Sequence, residues 1–396
     1  MLDKIFDMSD SIELKNILCN KIYSSGKITF AEFMETVLYH DLYGYYSSER
    51  TKIGKRGDYY TSSSVHPIFG ELLCKQIEEM RCVAGEKEFA IVEMGAGDGS
   101  LLCDILRCAK RDYPDLYSSS RYIIIEESRR MRERQRQGLV EEGLMNEGVQ
   151  WSDYSDPVFD KGIAGCFLSN ELVDAFPVHV VEKRGGALQE VFVDYQGDAF
   201  AEVLGPPSSP EICRYFDRLG ISLEEGQRGE VNLRAMEWMR WVAKNLTKGF
   251  VITIDYGYPA EELYAPDKKA GTLLCYHRHR VVADPFINIG EQDMTTHVDF
   301  TTLTKTGEEA GLLTAGFTDQ MHFLFGLGII ERIGAIGSEG TETGEPGPER
   351  EAEALQERLR IKTLIMPERM GSIFKVLIQY KGLSERPQLS GLRKIF

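Results

Sequence analysis

The stretch Phe89-Ala90-Ile91-Val92-Glu93-Met94-Gly95-Ala96-Gly97-Asp98-Gly99 joins an apolar run to three glycines at alternate positions. A short apolar run bounded by glycine predicts a buried strand, and Leu101 to Lys110 continues as a helix. Glycine lacks a Cβ, so the main chain of such a strand-to-helix turn can touch a ligand at the C-terminal edge of a sheet. The spacing is G-x-G-x-G. It is not the G-x-G-x-x-G of dinucleotide enzymes, and no Lys-Ser or Lys-Thr follows as in a phosphate-binding P-loop. Glu93-x-Gly95-x-Gly97 suits S-adenosylmethionine (SAM), with its amino acid portion over the glycines; a tight turn without a ligand is the alternative.

Outward from this turn, short strands alternate with helices. Arg121 to Glu126 predicts a second strand, Arg129 to Glu142 a charged helix, Val149-Gln150-Trp151-Ser152 a third strand and Ala164 to Ser169 a fourth. Phe250 to Asp255 is a further strand, after a helix carrying Met236, Met239, Trp241, Val242 and Leu246. Apolar strands interleaved with helices predict an α/β fold, a doubly wound, mainly parallel, Rossmann-like sheet covered on both faces. Upstream, Ile12, Leu14, Ile17 and Leu18, then Phe30, Phe33, Met34 and Val37, predict two helices, the second entered through Thr29 as N-cap. Pro67 opens another helix. Downstream, Val178 to Asp194 reads as a hairpin across Gly185-Gly186, Glu353 to Arg360 as a helix and Ile373 to Gln379 as a strand. Gly334 to Glu351, rich in Gly, Glu and Thr, is expected to be a mobile surface loop.

Glu126 ends the second strand beside the first turn, where its carboxylate can accept both hydroxyls of a ribose; a solvated surface acid is the alternative. The interval from Gly97 exceeds that of a minimal unit, and Asp112 to Ser120 reads as the loop that accounts for it. Trp151 or Ser152 is placed to flank an adenine, with core packing as the alternative for Trp151. Leu168-Ser169-Asn170-Glu171-Leu172-Val173-Asp174-Ala175-Phe176-Pro177 leaves the fourth strand where α/β enzymes put reacting groups. Two carboxylates and an amide at a buried strand end either cap a helix or bind something cationic. His277, His279 and His297 lack metal-site spacing and are expected to be structural, so no metal is expected.

The 396 residues carry 46 basic against 62 acidic side chains, a formal charge of −16, which disfavours nucleic acid as a partner. The eight cysteines form no C-x-x-C pair and read as reduced thiols. Met1 to Asp10 shows neither a signal-peptide pattern nor the Arg-rich face of a transit peptide, and no apolar run is long enough to span a membrane. A cytoplasmic protein is expected, with its oligomeric state open and a homodimer included.

Several segments together resemble the MidA family. They are Gly57-Asp58-Tyr59-Tyr60-Thr61-Ser62 with Phe69-Gly70; Val92 to Gly97; Asn170 to Pro177; Asp255-Tyr256-Gly257; Gly271-Thr272-Leu273 with Tyr276 and His279; and Gln292 to Phe300. The resemblance covers nearly the whole chain and is specific in its ordered combination. The chain departs from the family pattern in Ser63-Ser64, where Pro-Glu is usual, and in Ala96 and Asp98, where Pro and Arg often stand.

The resemblance implies a class I SAM methyltransferase. Gly57, Asp58, Thr61 and Ser62 would close over SAM held by Glu93, Gly95, Gly97 and Glu126, with Asn170 and Glu171 at the reacting end. The family's mitochondrial member is a protein arginine methyltransferase that acts as an assembly factor for respiratory complex I, which implies a protein acceptor presenting an arginine, such as a complex I subunit. A guanidinium is planar and permanently charged, so carboxylates must orient it and offset charge as a proton departs. Glu171 is the first choice as that clamp, followed by Asp174 and Asp255. A small-molecule N- or O-methyltransferase and a non-catalytic assembly factor are the alternatives. The expected division is a helical N-terminal element with a cofactor-covering loop (1–66), a SAM-binding core (67–177), an inserted substrate-side lobe of hairpin and helices (178–249), and the remaining core strands and substrate-side segments (250–396).

Overall fold

The computed structural model describes residues 2–47, 62–336 and 348–394. The chain forms two compact units: one from residues 60–171, 241–256 and 307–396, the other from 1–59, 172–240 and 257–306.

The first unit carries the glycine turn. Its strands are β1 (Ala90–Met94), β2 (Arg121–Ile125), β3 (Val149–Ser152), β4 (Ile163–Asn170), β5 (Leu246–Tyr258, its last two residues in the other unit), β6 (Leu313–Asp319) and β7 (Phe374–Lys381). They lie in the order β3-β2-β1-β4-β5-β7-β6. Pairing is parallel from β3 to β5, and β7 runs antiparallel between β5 and β6. This is the doubly wound, mainly parallel sheet expected from the alternation of elements, with one reversed strand that the apolar pattern alone did not reveal. Every residue of β1 is buried, as a strand covered on both faces requires. The principal helices are α1 (Ile68–Ala84), α2 (Ser100–Asp112), α3 (Arg129–Glu141), α4 (Gln320–Leu327) and α5 (Pro348–Ile365). One continuous core joins sheet and helices, with Phe69, Leu73, Ile105, Leu168, Ile252 and Phe323 among its fully buried members.

Register fixes the site. Met94 pairs with Ile125 on one side and Ser169 on the other, Ile254 pairs with Asn170, and Ile125 with Ser152. The C-terminal ends of β1, β2, β3 and β4 are therefore level to within one residue, and β5 runs on past them, paired with β7 as far as Tyr256. The chain order reverses between β1 and β4, the switch point outside which α/β sheets place their ligands.

Two expectations are corrected here. Asp112 to Ser120 is not a plain loop, because Pro114–Ser119 forms a short helix with Pro114 in its first turn. Gly334 to Glu351 is not a loop at its ends: Ile329–Ala335 is helical, and α5 begins at Pro348 rather than near Glu353. Residues 337–347 lie outside the described residues.

The second unit is mainly antiparallel. Ile28–Thr29, Ala187–Gln196, His179–Arg184 and Arg228–Val231 pair in that order, with Ala199–Gly205 on Ala187–Gln196. The expected hairpin across Gly185-Gly186 is present. Thr29 caps the helix Phe30–Tyr39 as expected, its hydroxyl accepting from Glu32 N–H while the Glu32 carboxylate accepts from Thr29 N–H. Phe30, Phe33 and Leu38 pack with Val178 and Val193 into one core of this unit, and Val181, Ile212 and Val231 belong to another. No helix among the described residues is long and apolar enough to cross a membrane.

The close approach of β4 to β1 rests on Gly165, where a Cβ would stand 1.9 Å from the Ala90 carbonyl oxygen. We expect Gly165→Ala to force these central strands apart and lower stability by about 3 kcal/mol, read from the urea midpoint. An unchanged midpoint would contradict the close approach.

Candidate functional site

After β1 the chain turns through Gly95 (φ +71°), Gly97 (+54°) and Gly99 (+84°), left-handed conformations that suit glycine. Gly95 N–H donates to the Ile125 carbonyl at 3.2 Å and Gly99 N–H to the Ala96 carbonyl at 2.8 Å, which ties the turn to β2 and closes it before α2. The third glycine has a packing reason. A Cβ on Gly99 would lie 3.1 Å from Gln135 Cγ on α3.

Gln135 is a residue of this edge to which the sequence did not point. It is fully buried, and its amide donates to the Gly97 carbonyl at 2.8 Å and to Glu126 Oε2 at 3.3 Å, while its oxygen accepts the Trp151 indole N–H at 2.8 Å. One amide thus joins the glycine turn and the ends of β2 and β3. A signal existed: Gln135 and Leu139, one helical turn apart, form the buried face of an otherwise charged helix, and a polar residue on such a face needs partners.

Glu126 follows β2 and is half-buried. Its Oε1 accepts Ser128 N–H at 2.9 Å, and burial raises its pKa above the usual carboxylate value despite the Ser128 and Gln135 bonds. A carboxylate has about four acceptor positions, so ribose hydroxyls can be added to these two donors. Glu127 next to it is exposed, the surface acid of the pair. Trp151 is half-buried, with the Arg136 guanidinium 4.5 Å from its ring centroid. Ser152 is buried, and its carbonyl accepts from Arg132 Nη2 at 3.1 Å.

At the end of β4, Glu171 stands in the left-handed region at φ +53°. For a non-glycine residue this costs about 1–3 kcal/mol and persists only where surroundings enforce it. They do so here. Glu171 N–H donates to the Ile254 carbonyl at 2.9 Å, and its Oε1 accepts both Ser62 N–H at 2.9 Å and Asn170 Nδ2 at 3.1 Å. Residues 171–177 contain no helix, so the capping alternative for this polar cluster is overturned. Asp255, on β5 just past its last pair with β4, is fully buried, and Tyr256 N–H donates to its Oδ1 at 2.9 Å.

The first unit therefore brings together Glu93, Gly95, Gly97, Glu126, Trp151, Ser152, Asn170, Glu171 and Asp255 on one strand-end edge, with Ser62 bonded to Glu171. Asp174 belongs to the other unit, where its carbonyl accepts Thr296 N–H at 2.9 Å. Gly57, Asp58 and Thr61 lie outside the described residues. His297, also in the second unit, has its pKa lowered to about 4 by burial and by nearby Lys268.

The edge fits a polar, cationic ligand. Glu93 Oε2 on β1 and Asn170 Oδ1 on β4 lie on one face of the sheet, and both are buried and have no partner among the described residues. Each such atom costs about 1–3 kcal/mol, and atoms of this kind at adjacent strand ends mark a binding edge. Burial, with the charge of Asp98 adding to it, raises the Glu93 pKa to about 8. The chemistry of this set is compatible with SAM: Glu93 could take a cationic group, Glu126 could accept from ribose hydroxyls, and the bare main chain at Gly95 and Gly97 would allow a ligand to approach.

Comparison with known proteins bears on the same edge. The sequence profile of the S-adenosyl-L-methionine-dependent methyltransferase family matches residues 68–318. The human mitochondrial protein arginine methyltransferase NDUFAF7 is 30% identical over 380 residues, covering 90% of this chain and 81% of that protein. The mouse protein of the same name is 29% identical over 379 residues, covering 90% of this chain and 82% of its own. A crystal structure from Burkholderia thailandensis bound to S-adenosyl-homocysteine has a TM-score of 0.86 at 30% identity, covering 97% of this chain and 95% of that one. The cytoplasmic expectation is corrected by these relatives, which are named mitochondrial. The composition of Met1 to Asp10 was a poor guide because lack of a targeting pattern does not specify a compartment.

Two outcomes follow from this geometry. Gly95→Val places a β-branched side chain at a left-handed position on the cradle and is expected to abolish S-adenosylhomocysteine binding in calorimetry; retained affinity would remove the glycine turn from the site. Glu93 holds a proton in the folded chain between its ordinary value of 4.5 and about 8, where the unfolded chain has released it. Its contribution to stability is therefore most favourable below about pH 4.5 and declines as pH rises toward 8, by about 1.4 kcal/mol per unit. Glu93→Gln should flatten that decline in denaturant titrations of the ligand-free protein, and an identical slope in both proteins would contradict it.

Proposed function

This chain belongs to the family of S-adenosyl-L-methionine-dependent methyltransferases, and from that premise we propose that it methylates the guanidinium of an arginine in a protein acceptor. The observation that carries the reading is the Glu171 carboxylate, held at the end of β4 in a strained backbone conformation by the Ile254 carbonyl, Ser62 N–H and Asn170 Nδ2. The names of the relatives support it, since they are protein arginine methyltransferases. A respiratory complex I subunit is the acceptor class carried by the family resemblance.

When bound, SAM supplies an electrophilic methyl group on its sulfonium. Main chain at Gly95 and Gly97 and the carboxylates of Glu93 and Glu126 would hold and orient it. Glu171 pairs with the guanidinium, fixing its plane through charge-assisted hydrogen bonds and aiming one nitrogen at the methyl carbon. Transfer would break the sulfonium–methyl bond as the nitrogen–methyl bond forms, leaving S-adenosylhomocysteine as product, and the proton lost by the nitrogen would pass to a nearby carboxylate, which offsets the positive charge until then. Asp255, buried on β5 beside the end of β4, is a second acidic group on this edge.

Glu171→Gln is expected to keep S-adenosylhomocysteine affinity in calorimetry and to lower radiolabelled methyl transfer from SAM into proteins of a cell extract by about 100-fold or more. Mass spectrometry of the labelled protein should place the methyl group on arginine. Normal transfer by the variant would remove Glu171 from the reaction, and label in solvent-extractable small molecules would favour a metabolite methyltransferase.

A further inference from the structure

We propose that Gln320 is a positioning residue for methyl transfer, acting through Ser62 on the Glu171 carboxylate. The inference rests on the role proposed for Glu171 and extends it to a residue of α4 that lies far from the glycine turn in sequence.

Glu171 has a long side chain with several rotamers, and one working geometry requires a fixed donor. Ser62 N–H, 2.9 Å from Oε1 at the start of the short helix Ser62–Val65, is such a donor, beside Asn170 Nδ2 on the same oxygen. Backbone at a helix start is only as well placed as what anchors it. Ser62 is fully buried, and its hydroxyl donates to Gln320 Oε1 at 3.0 Å. Gln320 is also fully buried, and its Nε2 donates to the Leu364 carbonyl at 2.9 Å.

The directions of these bonds follow from chemistry. A carbonyl can only accept, so the amide nitrogen of Gln320 must face Leu364. Its oxygen must then face Ser62, whose hydroxyl is left to donate. The amide cannot flip without leaving two buried polar groups opposed, so Ser62 has one position relative to α4 and α5. The N-cap Asp319, whose Oδ1 accepts His322 N–H at 2.9 Å, fixes the first turn of α4 on which Gln320 sits. Phe323, Leu324 and Leu364 of the surrounding core are fully buried. An apolar residue would satisfy packing among them, and glutamine at this place is explained by the two bonds it makes. The relay runs from the Leu364 carbonyl through Gln320 and Ser62 to the carboxylate on β4, entirely within one compact unit.

The test uses the full-length protein and radiolabelled transfer from SAM to proteins of a cell extract. Gln320→Leu is expected to lower the maximal rate about 10- to 100-fold, with KM for SAM and S-adenosylhomocysteine affinity unchanged within about twofold. Ser62→Ala breaks the same relay with little change in volume and should lower the maximal rate similarly. The double variant should be no slower than the slower single one, because both interrupt one path. Full activity of Gln320→Leu overturns the proposal, as do multiplicative losses in the double variant or a matching loss of S-adenosylhomocysteine affinity. If Gln320→Leu shows no cooperative melt, Ser62→Ala decides alone: a rate loss at constant KM supports the relay and full activity overturns it. Glu171→Gln measured alongside separates the two readings. A fully active Glu171→Gln removes the role of Glu171 itself, whereas an inactive Glu171→Gln beside a fully active Gln320→Leu removes only the relay.

Discussion

Parallel pairing in register is the constraint on which the site depends. Met94 lies between Ile125 and Ser169, and Asn170 beside Ile254, so the residues that follow them lie at one level, with β1, β2 and β4 ending there and β5 continuing along β7. Gly95, Glu126, Glu171 and Asp255 are each the next residue along their strands. A slip of one residue in any pairing would send its side chains to the opposite face and break the set. The approach of β4 to β1 at Gly165 therefore bears on function as well as on stability.

Two buried amides secure what the strands bring together. Gln135 joins the Gly97 carbonyl, Glu126 and Trp151 from α3. Gln320 joins Ser62 and the Leu364 carbonyl from α4. In both cases donor and acceptor are used, which a buried amide needs if it is not to destabilise the core. Glu171 shows what such support permits. Its left-handed backbone would be unfavourable in isolation, and neighbouring donors and the Ile254 carbonyl hold it.

The readable parts of the sequence were those where one local pattern has one physical meaning. The apolar run before Gly95, short and bounded by glycines, pointed to a buried strand, and Thr29 with Glu32 is a self-contained helix start. Less was legible where local chemistry has two outcomes. Polar residues after Ser169 suited a helix cap as well as a binding edge, and the chain in fact makes no helix there. Asp112 to Ser120 lacks a long apolar period, so its short helix, begun by Pro114, was hidden. A compartment has no signature in ten residues that lack one, and relatives named mitochondrial corrected that expectation.

Local sequence by itself determined the glycine turn, the alternation of strands and helices from β1 to β5, and the acids that follow β2 and β4, because these follow from backbone sterics and from the period of apolar residues, whereas the strand β6 and the helix α4 were not legible. Only tertiary structure decided which groups meet: that Gln135 ties the turn to Glu126, that β7 runs antiparallel between β5 and β6, and that Ser62 and Gln320 support Glu171. The reason is that a hydrogen bond between residues hundreds of positions apart leaves no period in the chain. It depends on how the elements pack, and a buried glutamine reads the same as an exposed one until its surroundings are known.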